Sequence, residues 1–419
     1  MRSAAAAPAS PNSVAVLYFE NGSRDTADAY LADGLTEELI VRLGQVESLQ
    51  VKSRGTVTRF KNSSADPSSI GRQLNVAYVV TGSVRKNGAR VSVVAELART
   101  SGGVRVWGDV FDRTSADVMG IEADIARAVA TAISGRLRPA EQARLTRRAT
   151  ANPAAYEAYL RGNAYLVRRG NDVARAIHRY EDAVRLDPSF ANAWARLSVA
   201  YYLTSSWGYD SAQVPMDSLM TRAARASSRA LELDSSNSDA WMARGSLLTA
   251  RWGGQAGRFA LLRAIELDST NAEAEHTLGV QMARDGDFLG AERHLRRAIA
   301  IEDDRAISYY WLAQVLYNQR RFAAYTAFAD TLAQHPLFRG ELDVSLQFRA
   351  DARAIGRDRR ALDDLAALTV RPFFNGLEGE AFAARILAGW ATPRRRASGW
   401  CAPSRPTGTR CRMTARRTR

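Results

Sequence analysis

The residues best suited to chemistry in this chain are three carboxylates close together near its start, Asp33, Glu37 and Glu38. Paired acids can act as general acid and general base, but acids in the first turn of a helix also stabilise the helix dipole. The apolar spacing around them predicts a helix over 30–46 that begins just before them, and we favour the structural interpretation. The four histidines show no metal-ligand spacing such as His-Glu-x-x-His.

Motifs of group-transfer enzymes are also missing from the sequence. There is no kinase set of Gly-rich loop, strand lysine, His-Arg-Asp and Asp-Phe-Gly, and no Gly-x-Ser-x-Gly elbow. No lysine follows a glycine as a phosphate-binding loop requires. Both cysteines, Cys401 and Cys411, lie near the C-terminus, so no disulfide framework or metal cluster is encoded. We therefore predict a non-enzymatic protein with no cofactor, no metal site and no small-molecule substrate.

The elements that organise the chain repeat with a period of 34 residues. Ala230, Ala264 and Ala298 recur at this spacing within similar segments. These segments, of the type Arg-Ala-Leu-Glu-Leu-Asp-Ser-Ser-Asn, lie at 182–188, 229–237, 263–271 and 297–303. A period of 34 residues is typical of stacked helix–turn–helix units, each of which buries its apolar face against its neighbours.

The residues within each unit carry a family resemblance. In the unit that starts at Ser238, small and large apolar residues alternate on two helices, at Trp241, Gly245, Leu248, Leu261 and Ala264. The next unit has the corresponding set Leu278, Gly279, Met282, Ala291, Leu295 and Ala298. These residues resemble the tetratricopeptide (TPR) family, whose closing proline is present only as Pro188. The resemblance implies an all-α TPR solenoid over 154–339 that binds proteins or peptides.

In a TPR stack the first helix of each unit lines the inner groove, and the positions outside the core face a partner. The positions that follow from the unit starts are Asn163, Leu166, Asn192, Tyr202, Met242, Ser246, His276, Val280, Tyr310, Gln314 and Tyr317. Their tyrosines, amides and apolar side chains suit an extended or helical peptide. The alternative is that they only solvate an unused groove.

The N-terminal part has a different pattern. Val14, Val16 and Phe19 belong to a strand-like run, and a second short strand is predicted over 49–53. A short helix begins near Pro67, three further strands are expected at 77–86, 89–99 and 104–113, and a helix follows from Val118 to Leu137. Asn87-Gly88 between the first two of these strands predicts a type I′ hairpin turn. The order predicts an α/β domain with one mixed sheet and helices packed against it.

This part carries a second resemblance. Ser-Val-Ala-Val-Leu-Tyr-Phe-Glu-Asn at 13–21, Leu-Ala-Asp-Gly-Leu-Thr-Glu-Glu-Leu at 31–39, Tyr-Val-Val-Thr-Gly-Ser-Val-Arg at 78–85 and Val-Trp-Gly-Asp-Val-Phe-Asp-Arg at 106–113 look like the TolB-like N-terminal domain. That module accompanies TPR arrays in bacterial signalling proteins, usually after a protein kinase, adenylate cyclase or winged-helix domain. None of those domains is encoded here, so no catalytic or DNA-binding activity is implied.

The formal charge of +14 points to anionic partners, but its distribution argues against them. Residues 393–419 carry nine arginines and no acid. This tail could bind nucleic acid or anionic lipid; we favour a disordered or out-of-frame terminus and expect no nucleic-acid partner. No apolar run approaches the ~18 residues that span a bilayer, so we expect a cytoplasmic protein. A periplasmic or membrane-associated location is the alternative if a membrane span lies upstream.

These observations predict a domain plan and a function. The plan consists of a disordered lead (1–12), the TolB-like α/β domain (13–140), a linker (141–153), TPR repeats (154–339), a helical cap or degenerate repeat (340–390) and a disordered basic tail (391–419). We predict an interaction scaffold in bacterial signalling. The alternative is the regulatory portion of a serine/threonine kinase or adenylate cyclase system whose catalytic domain is absent from this chain.

Overall fold

The computed structural model describes residues 9–334, except 62, 169, 208–214, 253 and 304, together with 349–354 and 360–369. The chain forms two compact units, the first ending at Tyr325 and the second starting at Thr326. The first unit contains a small mixed sheet followed by helical repeats. In the second unit, the described residues include a helix at Arg360–Thr369. Most of the predicted cap at 340–390 and the whole of the predicted tail at 391–419 lie outside the described residues.

The sheet confirms the predicted mixed topology. Its strands are β1 (Ser13–Val16), β2 (Glu20–Asn21), β3 (Gln50–Val51), β4 (Tyr78–Asn87), β5 (Arg90–Arg99) and β6 (Arg105–Thr114). The strand order is β3-β1-β4-β5-β6, with β2 beside β4. β1 runs parallel to β3 and β4, whereas β4, β5 and β6 form an antiparallel meander. Burial alternates along β5, where Val91, Val93 and Leu97 are fully buried, so one face of the sheet carries the core.

Helices cover that core. They are α1 (Ala29–Gly44), α2 (Arg54–Thr58), α3 (Pro67–Gln73), α4 (Val118–Ser134) and α5 (Pro139–Thr146). The predicted leucine stripe of α1 is buried at Leu31, Leu35, Leu39 and Leu43. Neither α2 nor α5 is anticipated by the sequence pattern, since both are too short to show a periodic stripe. α5 occupies part of the segment predicted as a linker.

The hairpin between β4 and β5 differs from the predicted type I′ turn. Asn87 pairs with Arg90, so the two turn residues are Gly88 and Ala89. Gly88 has a positive φ of 58°, whereas neither Asn87 nor Ala89 does. A positive φ at the first turn residue alone is the pattern of a type II′ turn, which requires glycine there.

Helix pairs make up the rest of the first unit, apart from α15, most of which belongs to the second unit. The helices are α6 (Pro153–Arg168), α7 (Asp172–Leu186), α8 (Ala191–Trp207), α9 (Met216–Leu233), α10 (Ser238–Trp252), α11 (Gln255–Leu267), α12 (Ala272–Arg284), α13 (Phe288–Ile301), α14 (Ala306–Asn318) and α15 (Phe322–Gln334). The pairs α6/α7, α8/α9, α10/α11 and α12/α13 pack most extensively. We call the surface formed by α6, α8, α10, α12 and α14 the first-helix face.

The repeated sequence motif has a structural cause at each of its positions. Ala230, Ala264 and Ala298 are completely buried. A Cβ on Gly245 would lie 2.7 Å from Leu261, and one on Gly279 would lie 2.8 Å from Leu295. The glycines therefore allow the two helices of a unit to approach closely, and the leucines fill the space beside them.

The polar end of the motif forms the turn between units. Asp268 Oδ1 accepts hydrogen bonds from the amide and the hydroxyl of Thr270, at 2.8 and 2.7 Å. Asn271 Oδ1 then accepts from the amide of Ala274 and caps α12. The Asn271 side-chain amide donates to Ser238 at the start of the preceding first helix. This turn thus begins the unit at α12 and bonds it to the preceding one.

Replacement of Ala264 by leucine tests this packing. Ala264 is fully buried, so the larger side chain should overpack the site and lower the free energy of unfolding by about 1–3 kcal/mol. Urea denaturation followed by circular dichroism measures the change. Ala256→Leu on the exposed side of the same helix is the matched control and should stay within about 0.5 kcal/mol of the wild type. Equal stabilities of the two variants would contradict the packing.

Candidate functional site: the first-helix face

All eleven groove positions expected from the sequence lie on the first helices of the pairs or on α14, but their exposures differ. Half-buried are Asn192, Tyr202, Tyr310, Gln314 and Tyr317. Buried are Asn163, Leu166, Met242, Ser246, His276 and Val280. The positions therefore lie on the helices expected of them, and the structure divides them into packed and partly accessible residues.

Some of the buried polar groove residues form hydrogen bonds to other residues of the helix pairs. Tyr180 donates to Asn163 Oδ1 at 2.7 Å. His276 Nδ1 lies 2.9 Å from the hydroxyl of Ser308 on the next first helix. Burial lowers the pKa of His276 to about 4, so this imidazole is neutral near pH 7. These side chains tie adjacent helices together.

The N-terminal helix α1 packs directly against α6, the first helix of the array. A Cβ on Gly34 would lie 2.8 Å from Leu160, so only glycine gives α1 this close approach without displacing the leucine. Tyr30 donates to Glu157 at 2.7 Å. The sheet domain and the first repeat therefore share a packed interface.

A buried charged cluster lies at the centre of this interface. Glu38 on α1 accepts from Tyr159 at 3.1 Å, and Glu122 on α4 lies 2.6 Å from the hydroxyl of Tyr156. Arg42 is 3.7 Å from Glu122, and its guanidinium also donates to the carbonyl of Leu145 at 3.0 Å.

The electrostatics of the cluster follow from two carboxylates sharing one arginine. Burial raises the pKa of Glu38, and burial together with the charge of Glu38 raises the pKa of Glu122 to about 8. The side chain of Glu122 is completely buried and that of Arg42 nearly so. Burial outweighs the positive charges of Arg42 and, for Glu38, of Arg196, so the cluster retains a proton near pH 7.

A second contact joins the sheet domain to the turn after α13. Thr56 on α2 donates to the carbonyl of Ile301 at 3.0 Å, and Ser53 donates to the same oxygen. Arg59 pairs with Asp303 at 2.8 Å. A Cβ on Gly55 would lie 2.7 Å from the Cα of Glu302, so the two backbones touch at this point. The domain is thus attached to both the first and the fourth helix pair.

Between these two contacts lies a cavity of about 140 Å³. Three of the expected groove residues, Asn163, Leu166 and Met242, line it. Most of its other polar walls are charged: Glu37, Arg54, Arg196, Asp239, Asp268, Glu273, Glu302 and Arg305.

Most of the charged side chains that line the cavity form ion pairs, either across the domain interface or between residues of the helical repeats. Arg54 lies 3.3 Å from Glu37 and 4.0 Å from Glu302. Arg305 lies 2.7 Å from Glu273, and Arg196 lies 3.2 Å from Asp239. Sequence reasoning about groove positions did not find these residues. The only available signal was the recurrence of an acid at the second position of a first helix, at Asp239 and Glu273, 34 residues apart.

The carboxylates first considered for catalysis have structural partners. α1 begins at Ala29, after a 3-10 turn, so Asp33, Glu37 and Glu38 lie beyond its first turn and the helix-dipole explanation is wrong. Asp33 pairs with Lys61 at 2.6 Å, Glu37 with Arg54, and Glu38 belongs to the buried cluster.

Beyond the part covered by the sheet domain, α14 presents aromatic residues. Tyr310 and Trp311 meet edge to face, and the guanidinium of Arg284 lies 5.5 Å from the Trp311 ring centroid. Tyr317 meets the ring of Phe322 edge to face. Tyr310, Gln314 and Tyr317 are each half-buried, so this region keeps accessible tyrosine and amide groups.

The residues that the structure describes lack two features. No helix there has the length and apolar character needed to cross a bilayer. No group of three or more histidine, cysteine or acidic side chains in that part of the chain is arranged to hold a metal ion.

Comparison with known proteins found a relative that aligns with part of this chain. No family model matches the sequence. The chain is 31% identical over 196 residues to "Putative adenylate cyclase 3" of Rhizobium meliloti (strain 1021). The alignment covers 46% of this chain and 33% of that protein, so the chain spans about a third of the length of this relative.

Three solved structures that align with parts of this chain include one described as a TPR protein. PilF of Pseudomonas aeruginosa is 20% identical, with a TM-score of 0.42 over 55% of this chain and 97% of PilF. YrrB, described as a TPR protein with an unusual peptide-binding site, is 16% identical, with a TM-score of 0.34 over 45% of this chain and 90% of YrrB. TolB from Acinetobacter baumannii is 17% identical, with a TM-score of 0.24 over 32% of this chain and 31% of TolB. All three TM-scores are below 0.5, so no property of these proteins is transferred to this chain.

Substitution of Gly55 tests the second contact. A methyl group there would press on the backbone of Glu302, so Gly55→Ala should separate α2 from the turn after α13 without unfolding either element. We expect amide hydrogen exchange in 54–58 and 301–308 to become about tenfold faster or more. Gly44→Ala is the control, because a Cβ there meets nothing within 4 Å. Unchanged exchange in Gly55→Ala would contradict the contact.

The raised pKa of Glu122 predicts a pH dependence of stability. The folded state holds this proton to about pH 8, whereas the unfolded glutamate loses it near its ordinary value of about 4.3. Between these values the folded state binds more protons, so the free energy of unfolding should fall, by roughly 1–3 kcal/mol, as pH rises from about 5 to about 8. Glu122→Gln should flatten this slope in urea titrations. If Glu122→Gln kept the wild-type slope, the pH dependence of the free energy of unfolding would arise from other groups.

Proposed function

We propose that the protein is a non-enzymatic interaction scaffold whose TPR-type array binds a peptide or protein partner. The observation that carries this proposal is the half-buried tyrosine and amide surface of α14, which lies on the first-helix face outside the lining of the charged cavity. Stacked helix pairs commonly bind partners on such a face. The carboxylates that could serve catalysis are instead occupied by ion pairs and by the buried cluster.

The proposed partner is an extended or helical peptide held by Tyr310, Gln314 and Tyr317. Tyrosine provides a large apolar ring with a polar end, and the glutamine amide can both donate and accept hydrogen bonds. These groups suit recognition by side-chain hydrogen bonds together with apolar contact, rather than capture of a single charged terminus.

We also propose separate roles for the two parts of the first unit. The TolB-like domain at 13–140 would fix the spacing of the repeats at 154–339, because α1 and α2 contact the first and fourth helix pairs. The part of the first-helix face nearest α14 would then remain for the partner.

The similarity to a putative adenylate cyclase favours a second candidate function. The named relative is a putative adenylate cyclase, and this chain matches a third of it. The chain would then be the regulatory portion of a cyclase or kinase system. Sequencing the DNA upstream of codon 1 tests the fused form of this arrangement: an in-frame cyclase or kinase domain would support it, and an in-frame stop codon would contradict a catalytic domain on the same chain.

A site-specific cross-linking experiment tests the scaffold. A photoreactive amino acid at Gln314 of the full chain should capture a partner in cells of the source organism, and the same group at exposed Ala300 of α13 should not. Tyr310→Ala with Tyr317→Ala should reduce the captured product at least tenfold while the circular dichroism spectrum stays unchanged. Equal capture from both positions, or full capture by the folded double variant, would contradict the proposed site.

A further inference from the structure

The cavity between the two attachments has an apolar wall as well as a charged one. Val41 of α1 and Val167 of α6 line it from the two parts of the first unit and are 48% and 40% exposed. An apolar group that covered these valines would be stabilised by the removal of their surface from water. The volume of about 140 Å³ is close to the ~150 Å³ that holds a benzene-sized molecule in a protein interior. The space therefore suits a small molecule with an apolar part.

The residues of the repeats that line the cavity form two rows. On each of three first helices, a polar residue in the lining is followed three positions later by an apolar one. The pairs are Asn163 and Leu166 on α6, Arg196 and Val199 on α8, and Asp239 and Met242 on α10. On the sheet domain, Glu37 and Ile40 of α1 line the cavity with the same spacing. Residues three apart share a helix face and lie about 4.5 Å apart along the axis, so a polar row runs beside an apolar row.

The polar row contains a guanidinium group with a donor that is not used. Arg196 Nε lies 3.2 Å from Asp239 Oδ2, but the direction is wrong for a hydrogen bond. Among the residues that the structure describes, Nε of Arg196 is buried and has no hydrogen-bond partner. A buried donor without a partner is costly, and a carboxylate is the group that best matches a guanidinium. Arg196 is therefore suited to bind a carboxylate that enters the cavity.

Asp268 provides the opposite charge in the same lining. Burial raises the pKa of Asp268 and the charge of Asp239 raises it further, whereas hydrogen bonds from Thr270 and the charge of Arg196 lower it. The carboxylates of Asp239 and Asp268 and the guanidinium of Arg196 are thus close enough to interact. An ammonium group next to Asp268 would stabilise the charged form of this carboxylate.

We propose that the cavity binds a free α-amino acid with an aliphatic side chain of the size of valine or leucine. Its carboxylate pairs with Arg196, its ammonium group pairs with Asp268, and its side chain packs on the apolar row. Both charges of the ligand are used, because an anion alone would face Asp239 and Asp268, and an amine alone would leave Arg196 without a carboxylate. The amino acid is an effector rather than a substrate, and its site is separate from the α14 surface that we assign to the partner.

A ligand series on the wild-type full chain tests which groups are recognised. We expect isothermal titration calorimetry to show one site for L-leucine or L-valine. Binding should be at least tenfold weaker for 3-methylbutylamine, 4-methylpentanoate and glycine, which lack the carboxylate, the ammonium group and the side chain. Absence of binding by both amino acids at millimolar concentration would overturn the proposal. So would binding of the amine or of the acid that is as tight as that of leucine.

Substitution of Asp268 tests the position of the site. Asp268→Asn removes the charge but keeps the Oδ1 atom that accepts hydrogen bonds from Thr270, and it should weaken leucine binding at least tenfold. Asp234→Asn is the matched control, because Asp234 lies 34 positions earlier and accepts from Ser236 in the same way, but is not part of the cavity lining. The control should bind leucine as the wild type does. Equal affinities of the two variants would overturn the proposed site.

Discussion

The arrangement of the first unit depends on the buried cluster of Glu38, Arg42, Glu122, Tyr156 and Tyr159. It brings together α1 and α4 of the sheet domain and α6 of the array, and Arg42 extends it to α5 through the carbonyl of Leu145. Removing one member of such a cluster would leave a buried charge without its partner, which costs more than the cluster contributes as a whole. The cluster therefore fixes which surfaces of the two parts meet.

The attachment of α2 has a different physical character. Its partners are a backbone carbonyl and half-exposed ion pairs, such as Arg59 with Asp303, and exposed ion pairs contribute little to stability. The close approach at Gly55 depends on the absence of a side chain. The first attachment thus depends on buried charges, and the second depends on a backbone carbonyl, a close backbone approach and partly exposed ion pairs. The charged cavity lies between them. The half-buried tyrosines of α14 lie outside that cavity's lining and keep the partner-binding role that we propose for them.

The sequence predicted the repeats well because their chemistry is local. The 34-residue recurrence of Ala264 and its equivalents marks buried helix contacts, and the Asp-Ser-Thr-Asn end of the motif forms a turn and a helix cap within four residues. The mixed sheet was predictable for the same reason, from alternation within single strands.

The site was less predictable because it depends on contacts between distant segments. Glu38 and Tyr159 are 121 positions apart, and Thr56 and Ile301 are 245 apart. Nothing in the local pattern of α2, five residues long, indicates that it contacts the array. The repeat register was enough to predict which helices hold the groove positions. The burial of Asn163, Met242 and His276 could not be predicted, because it depends on neighbours that a single sequence does not reveal.

We expect the sheet domain and the first repeats to form one cooperative body through the buried cluster. Native-state hydrogen exchange of the full chain at increasing denaturant measures this most directly. The slowest amides of Ala29–Gly44 and Pro153–Arg168 should exchange with the same opening free energy and the same denaturant dependence. Exchange of the α6 amides through an opening that leaves α1 protected, or the reverse, would mean that the two parts unfold independently and would contradict the cooperative body.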